Sequence, residues 1–258
     1  MQNCACEVDE CALCGAEFYS ALTAEQVCQI RELLIKKTCK PRTVLFRQGE
    51  SDSLLFVLRR GLVKLTCSLP DGREQILGLR VAGQLLGFGA LRDRAHPYTA
   101  ETLTEVELCG IRHQDMLHVL ERNPESALRV IDSLNQELQR AQALIRDLGL
   151  KSAPERLASF LLSLKQHPDP RENLLAVPLS RREIAELLGL TIETVSRNIT
   201  RFARKGLIQV LRGHIRIVDL AGGKIAKRFG GPESASFWDP VISRMPNGAE
   251  ALGVDASG

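Results

Sequence analysis

The run SRREIAELLGLTIETVSRNITRFARKGLI, residues 180–208, constrains this chain more than any other segment. Ser180 followed by Glu183 is a capping-box signature, and Ile184, Ala185, Leu187 and Leu188 form one apolar face that stops at Gly189. Thr191 then caps a second helix in which Ile192, Val195, Ile199 and Phe202 point inward at steps of three, four and three. Helix, tight glycine turn and helix is the motif that docks in a DNA major groove. With those four residues inward, Glu193, Ser196, Arg197 and Thr200 face the groove, with Arg201 and Arg204 further along. Arginine pairs with guanine O6 and N7, glutamate accepts from a base amino group, and serine serves base or phosphate. Glu193 and Arg197, four apart, can also hold each other in place.

The next residues, GLIQVLRGHIRIVDL, predict two short strands across a turn at Arg212-Gly213, a basic wing beside the helices. A net charge of +3 does not mark a nucleic-acid binder; its distribution does. Residues 181–216 hold eight cations (Arg181, Arg182, Arg197, Arg201, Arg204, Lys205, Arg212, Arg216) against Glu183, Glu186 and Glu193. Such charges on a helix are often just a solvated face, but caps, turn, inward stripe and wing together outweigh that reading.

Upstream the texture changes. Residues 23–37 (TAEQVCQIRELLIKK) have Val27, Ile30, Leu33 and Leu34 at helical spacing and predict a short amphipathic helix. From Thr43 to Ile111, VLFRQGE, LLFVLRRG, LVKLTCSL, EQILGL and VELCGI are short β-like runs between glycines and a PDG turn, predicting an antiparallel barrel or roll. Ala127, Ile131, Leu134, Leu138, Ala141, Ile145 and Leu148 then recur at steps of four and three. That stripe is too narrow for a buried helix and predicts a homodimer seam through Ile131, Leu134, Leu138, Ile145 and Leu148. Residues 155–165 (ERLASFLLSLK) predict another helix, opening a second, smaller domain.

The expected organisation is α+β: a cysteine-rich arm (1–22), a β-roll (23–113), a dimerisation helix (114–150), a winged helix-turn-helix (151–220) and a flexible tail (221–258). No basic leader or membrane-length apolar run is present, so a soluble cytoplasmic protein without membrane contact is expected. No nucleophile elbow, phosphate-binding glycine loop or paired-acid arrangement stands in a credible context, which argues against an enzyme. Cys4, Cys6, Cys11 and Cys14 crowd the first fourteen residues of a chain too large to depend on disulfides, favouring metal or redox chemistry.

The helix-turn-helix run resembles that of the CRP/FNR superfamily, and its E-x-x-S-R pattern, Glu193, Ser196 and Arg197, resembles the reading motif of the FNR branch. FRQGESDSLLFVLRRGLVKL and DGREQILGLRVAGQLLGFGAL resemble the family's β-roll, so the likeness covers about residues 20–220. It implies a β-roll sensor, a dimer helix, a winged helix on palindromic DNA with TTGAT-type half-sites, and contact with RNA polymerase. Cyclic-nucleotide-binding relatives carry an acidic residue after the corresponding glycine and a phosphate-binding Arg-Ser pair. Here Gln84 follows Gly83, and Pro97-Tyr98-Thr99 stands near the pair's place, which argues against cyclic AMP.

The FNR branch implies instead an oxygen-labile [4Fe-4S] cluster on three N-terminal cysteines and one from the β-roll, where Cys109 falls. Strand parity puts Cys109 with Glu105 and Glu107, opposite Val106 and Leu108, and so available to bind; Cys67 shares parity with Val63, Leu65 and Leu69 and is expected in the core. The resemblance implies Cys6 (or Cys4), Cys11, Cys14 and Cys109 as ligands, although the long and short gaps stand in reversed order here. Four thiolates suit zinc equally, a metal-free thiol switch is a third reading, and His96 could touch a haem in a nitric oxide sensor. Control is expected by population shift, the arm altering how the seam packs.

Overall fold

The structure is a computed structural model that describes residues 30, 32–51, 54–88, 95–164, 174–176, 179–211 and 214–217. Eight strands come first: β1 (Ile35–Cys39), β2 (Val44–Phe46), β3 (Leu54–Arg60), β4 (Val63–Ser68), β5 (Glu74–Arg80), β6 (Leu85–Leu86), β7 (Thr99–Thr102) and β8 (Val106–Arg112). Then follow α1 (His113–Arg122), α2 (Pro124–Leu150), α3 (Ala153–Leu164), β9 (Leu174–Ala176), α4 (Arg181–Leu188), α5 (Ile192–Arg204), β10 (Ile208–Leu211) and β11 (His214–Ile217). The chain divides into two units, residues 1–65 with 80–138, and residues 66–79 with 139–258.

In the first unit, β1, β8, β3 and β6 form one sheet in that order, with β8 antiparallel to both neighbours. A second sheet has the order β2, β7, β4, β5, of which the end of β4 and most of β5 fall in residues 66–79, grouped with the other unit. The period of two along β3 and β8 sorts side chains into two apolar clusters. Phe56, Leu58, Val106 and Leu108 pack with Phe46, Val63, Leu65 and Leu86. Leu55, Val57, Cys109 and Ile111 pack instead with Met116 and Val119 of α1, Val130 of α2, and Ile30. Gly61 makes the turn from β3 to β4 at φ 95°, and a Cβ there would lie 2.3 Å from the Glu105 carbonyl, so only glycine fits. The expected antiparallel roll is present.

Three details differ from expectation. The helix expected over 23–37 does not reach Lys37: Ile35–Cys39 is strand β1, paired residue for residue with β8, while Thr23–Gln29 lie outside the described residues. The long helix expected from 114 is two helices broken at Asn123, whose φ of −133° leaves the α region because Pro124 follows. Cys67 is half-buried and Leu69 is 49 % exposed, so neither belongs to the core.

Along α2, Ile131, Leu134, Leu138 and Ile145 are 42 to 69 % exposed, an apolar stripe open to solvent on a single chain. Leu148 departs from it: it is half-buried, its Cδ2 lying where a Cβ on Gly189 would meet it at 3.1 Å. In the second unit, α3 packs on α4 and α5, burying Leu157, Phe160 and Leu161 with Leu187, Val195 and Phe202. The wing has three strands in the order β10, β11, β9; β9 has no counterpart among the expected elements and pairs Leu174–Ala176 with β11. Arg212 and Gly213, the arm at 1–22 and the tail at 221–258 lie outside the described residues.

Candidate nucleic-acid interface

Helix α4 is closed at both ends by its own sequence. The Ser180 hydroxyl accepts from the Glu183 amide, and the Ser180 amide donates back to Glu183 Oε2 at 2.9 Å. Gly189 ends the helix in the left-handed conformation, φ 61° and ψ 44°, with its N–H on the Ala185 carbonyl. Two residues further, Thr191 caps α5, its hydroxyl accepting from the Thr194 amide at 3.2 Å. The turn between the helices is therefore three residues long and held by local bonds.

Val195, Ile199 and Phe202 of α5 are buried as expected, but Ile192, in the first turn, is 42 % exposed. Asn198, which the apolar spacing does not single out, is buried and donates Nδ2 to the Thr194 carbonyl at 2.9 Å. Glu193, Arg197, Thr200, Arg201 and Arg204 are exposed on the opposite face, and Ser196 is half-buried beside them. Thr200 donates its hydroxyl to the Ser196 carbonyl, 3.0 Å. The Arg197 guanidinium turns to the Thr194 hydroxyl, 3.3 Å, rather than to Glu193. The Glu193 carboxyl is held below its ordinary pKa first by its own backbone amide and then by the Thr191 hydroxyl, with Arg197 a smaller cause. This end of α5 thus offers a carboxylate acceptor and an arginine fork four residues apart, a pair able to read adjacent base edges.

Among the described residues of the β-roll, several polar side chains are buried. Gln84 turns its amide oxygen back to the Val81 N–H at 3.1 Å and is buried. Tyr98 is half-buried against Phe46; burial raises its phenol above the ordinary value, against Arg80 and the Gly87 N–H, which lower it. Arg80, itself buried, pairs with Glu137 of α2. His96 is 1 % exposed with its ring stacked on Phe46, centroids 3.7 Å apart.

Cys109 lies on the face that parity predicts, opposite Val106 and Leu108, but is only 1 % exposed rather than open, because α1 and Ile30 cover that face. Cys4, Cys6, Cys11 and Cys14 lie outside the described residues. No helix among the described residues is long and apolar enough to cross a membrane.

Comparison with known proteins agrees with this architecture. Residues 36–123 match the family described as cyclic nucleotide-binding domain, and residues 155–222 the Crp-like helix-turn-helix domain. The transcriptional activatory protein AadR of Rhodopseudomonas palustris is 33% identical over 182 residues, 69% of this chain and 75% of that protein. The anaerobic regulatory protein of Haemophilus influenzae is 28% identical over 224 residues, 85% of this chain and 87% of that protein. A CRP-family transcriptional regulator of Thermus thermophilus superposes with a TM-score of 0.67 at 29% identity, covering 77% of this chain and 100% of that one. With a β-roll, a long helix and a capped winged helix-turn-helix in that order, this chain belongs to the CRP/FNR family of DNA-binding transcription regulators.

Proposed function

We propose that the chain is a homodimeric transcription activator of the FNR branch, reading TTGAT-type half-sites in a palindrome under low oxygen through Glu193, Ser196 and Arg197. The observation that carries this reading is the N-terminal end of α5, where a capped helix holds Glu193 and Arg197 exposed on its outer face. The open stripe Ile131, Leu134, Leu138 and Ile145 supports a second copy as partner, since about two apolar side chains per heptad are otherwise left in water. Similarity to AadR and to the anaerobic regulatory protein supports activation and low-oxygen control; RNA polymerase is the further partner that the proposal implies.

Control is assigned to a [4Fe-4S] cluster on Cys6 (or Cys4), Cys11, Cys14 and Cys109. The environment of Cys109 supports that role in one respect, since its thiol is shielded from water in an apolar cluster that includes Ile30, although Ile30, Met116 and Val119 would have to make room for a cluster on this face. When bound, the cluster would supply an oxygen-labile tie, and Cys109 would hold it to β8, whose neighbours α1 and α2 share the same apolar cluster through Met116 and Val130.

The test is anaerobic purification with iron, sulfide and zinc analysis, and binding to a TTGAT palindrome before and after air. About four irons and four sulfides per chain, lost in air and in Cys109→Ala together with DNA affinity, are expected. Zinc, or metal-free protein that binds equally in air, removes the oxygen-sensing part. Arg197→Ala is expected to lose about 1–3 kcal/mol of base discrimination; unchanged discrimination refutes the reading of α5.

A further inference from the structure

Between the last turn of α2 and the first of α3 stand two residues, Lys151 and Ser152. A helix C-terminus leaves carbonyls without intrahelical partners and carries partial negative charge. Here one side chain serves two such ends. The half-buried Arg156, in the first turn of α3, donates Nη2 to the Leu148 carbonyl of α2, Nε to the Lys151 carbonyl at 2.9 Å, and Nη1 to the Leu188 carbonyl, the last residue of α4, at 3.1 Å. The same junction is closed by smaller contacts. Lys151 Nζ donates to Asp147 Oδ2 at 2.8 Å and to Ser159 Oγ at 3.0 Å, and Ser152 donates both amide and hydroxyl to Glu155. Gly189 completes the packing, since a Cβ there would meet Leu148 Cδ2 at 3.1 Å and Arg156 Nη1 at 3.6 Å.

We propose that Arg156 is a positioning residue for DNA recognition, a three-way clamp that fixes α4, and with it the reading helix α5, to the end of α2. The guanidinium is suited to this because its donors diverge in one rigid plane toward three carbonyls, which a lysine ammonium on a flexible stem cannot match. Arg156 touches no base-reading residue; it determines where the reading helix points, not what it reads. In the homodimer proposed above, on which the DNA part of the test rests, this sets the separation and angle at which two reading helices meet two half-sites.

The experiment uses the full chain and duplexes selected by the wild type from a random pool, so that it does not depend on TTGAT. The spacer between half-sites is lengthened and shortened by one and two base pairs, each step rotating one half-site by about 35°. Wild type is expected to lose affinity sharply away from the selected spacing. Arg156→Lys, which keeps the charge and the fold, is expected to bind the selected site about tenfold more weakly, vary less than about threefold across spacings, and pay the wild-type penalty for a changed base within a half-site. Arg156→Ala is expected to go further in the same direction, and Arg197→Ala to do the reverse.

Hydrogen exchange is read in parallel: amides of 148–152 and 189–190 exchange about tenfold faster in Arg156→Lys, with 195–202 unchanged. Wild-type exchange at both junctions overturns the clamp outright. Faster exchange with a wild-type spacing profile overturns the positioning role. A wild type that sediments as a monomer or selects unpaired half-sites refutes the dimer reading instead, and exchange alone then decides the clamp.

Discussion

Replacing Gly189 with alanine tests the joint between the two DNA-binding helices. Gly189 has φ 61° and ψ 44°, a conformation that costs an L-residue with a Cβ about 1–2 kcal/mol. The added Cβ would also stand 3.1 Å from Leu148 Cδ2, closer than an ordinary contact, while Arg156 Nη1 at 3.6 Å is not crowded. Because the Leu148 methyl ends a flexible side chain, it can move aside, and a displaced rotamer costs about 0.5–1.5 kcal/mol. The sum is about 1.5–3.5 kcal/mol, which at a urea slope of about 1–3 kcal/mol/M lowers the midpoint by roughly 1 M.

Urea unfolding of the full chain followed by circular dichroism measures this loss. The two parts separate cleanly: Gly189→Asn should recover much of the backbone cost, since asparagine tolerates this conformation, and in a Leu148→Ala background Gly189→Ala should cost about 1 kcal/mol less than in the wild type. A Gly189→Ala chain within about 0.5 kcal/mol of wild type would refute the left-handed cap. Strict additivity with Leu148→Ala would refute the crowding.

Glu137→Gln removes the carboxylate that pairs with buried Arg80; because Glu137 is itself 39 % exposed, the expected loss is about 1–3 kcal/mol rather than the full value for a buried pair, read as a lowered thermal midpoint. The double change Arg80→Met with Glu137→Leu should recover most of it. Tyr98, whose phenol is raised by burial, contributes stability that is complete below the ordinary value near 10 and is lost as pH climbs through the raised folded value. Unfolding midpoints followed from pH 9 upward should therefore fall less steeply in Tyr98→Phe than in wild type, and equal slopes would contradict the assignment.

What can be read from sequence follows how local its causes are. Helix α4 and the start of α5 are legible to the residue because Ser180, Glu183, Gly189 and Thr191 determine those ends by bonds three or four residues long. Strand β1 is not: Ile30, Leu33 and Leu34 begin a helical spacing, and only the pairing of Ile35–Cys39 with β8, some seventy residues away, overrides it. The short β9, paired with β11, has the same distant cause. For Cys109, alternation along β8 identifies the face correctly, but exposure depends on what covers it, and Met116, Val119 and Ile30 arrive from other elements. The break at Asn123 is signalled by Pro124, but a helical reading that starts at 114 runs across it. At the interface, the exposed arginines follow from helical period alone, whereas the Arg156 clamp joins three elements and leaves no local signature.

The packing of Tyr98 bears on any diffusible effector. Tyr98 stands near the position that a phosphate-binding pair takes in nucleotide-binding relatives, held by its ring contact with Phe46 and by the Gly87 N–H, with the Arg80 charge nearby. Were a small-molecule signal to take that position, Tyr98 would act as a tethered competitor at an effective concentration in the millimolar range or above, and the signal would first have to expel it. If expulsion costs about 2 kcal/mol, apparent affinity falls roughly thirtyfold. On that reading Tyr98→Ser should make the roll more permissive to small metabolites than the wild type.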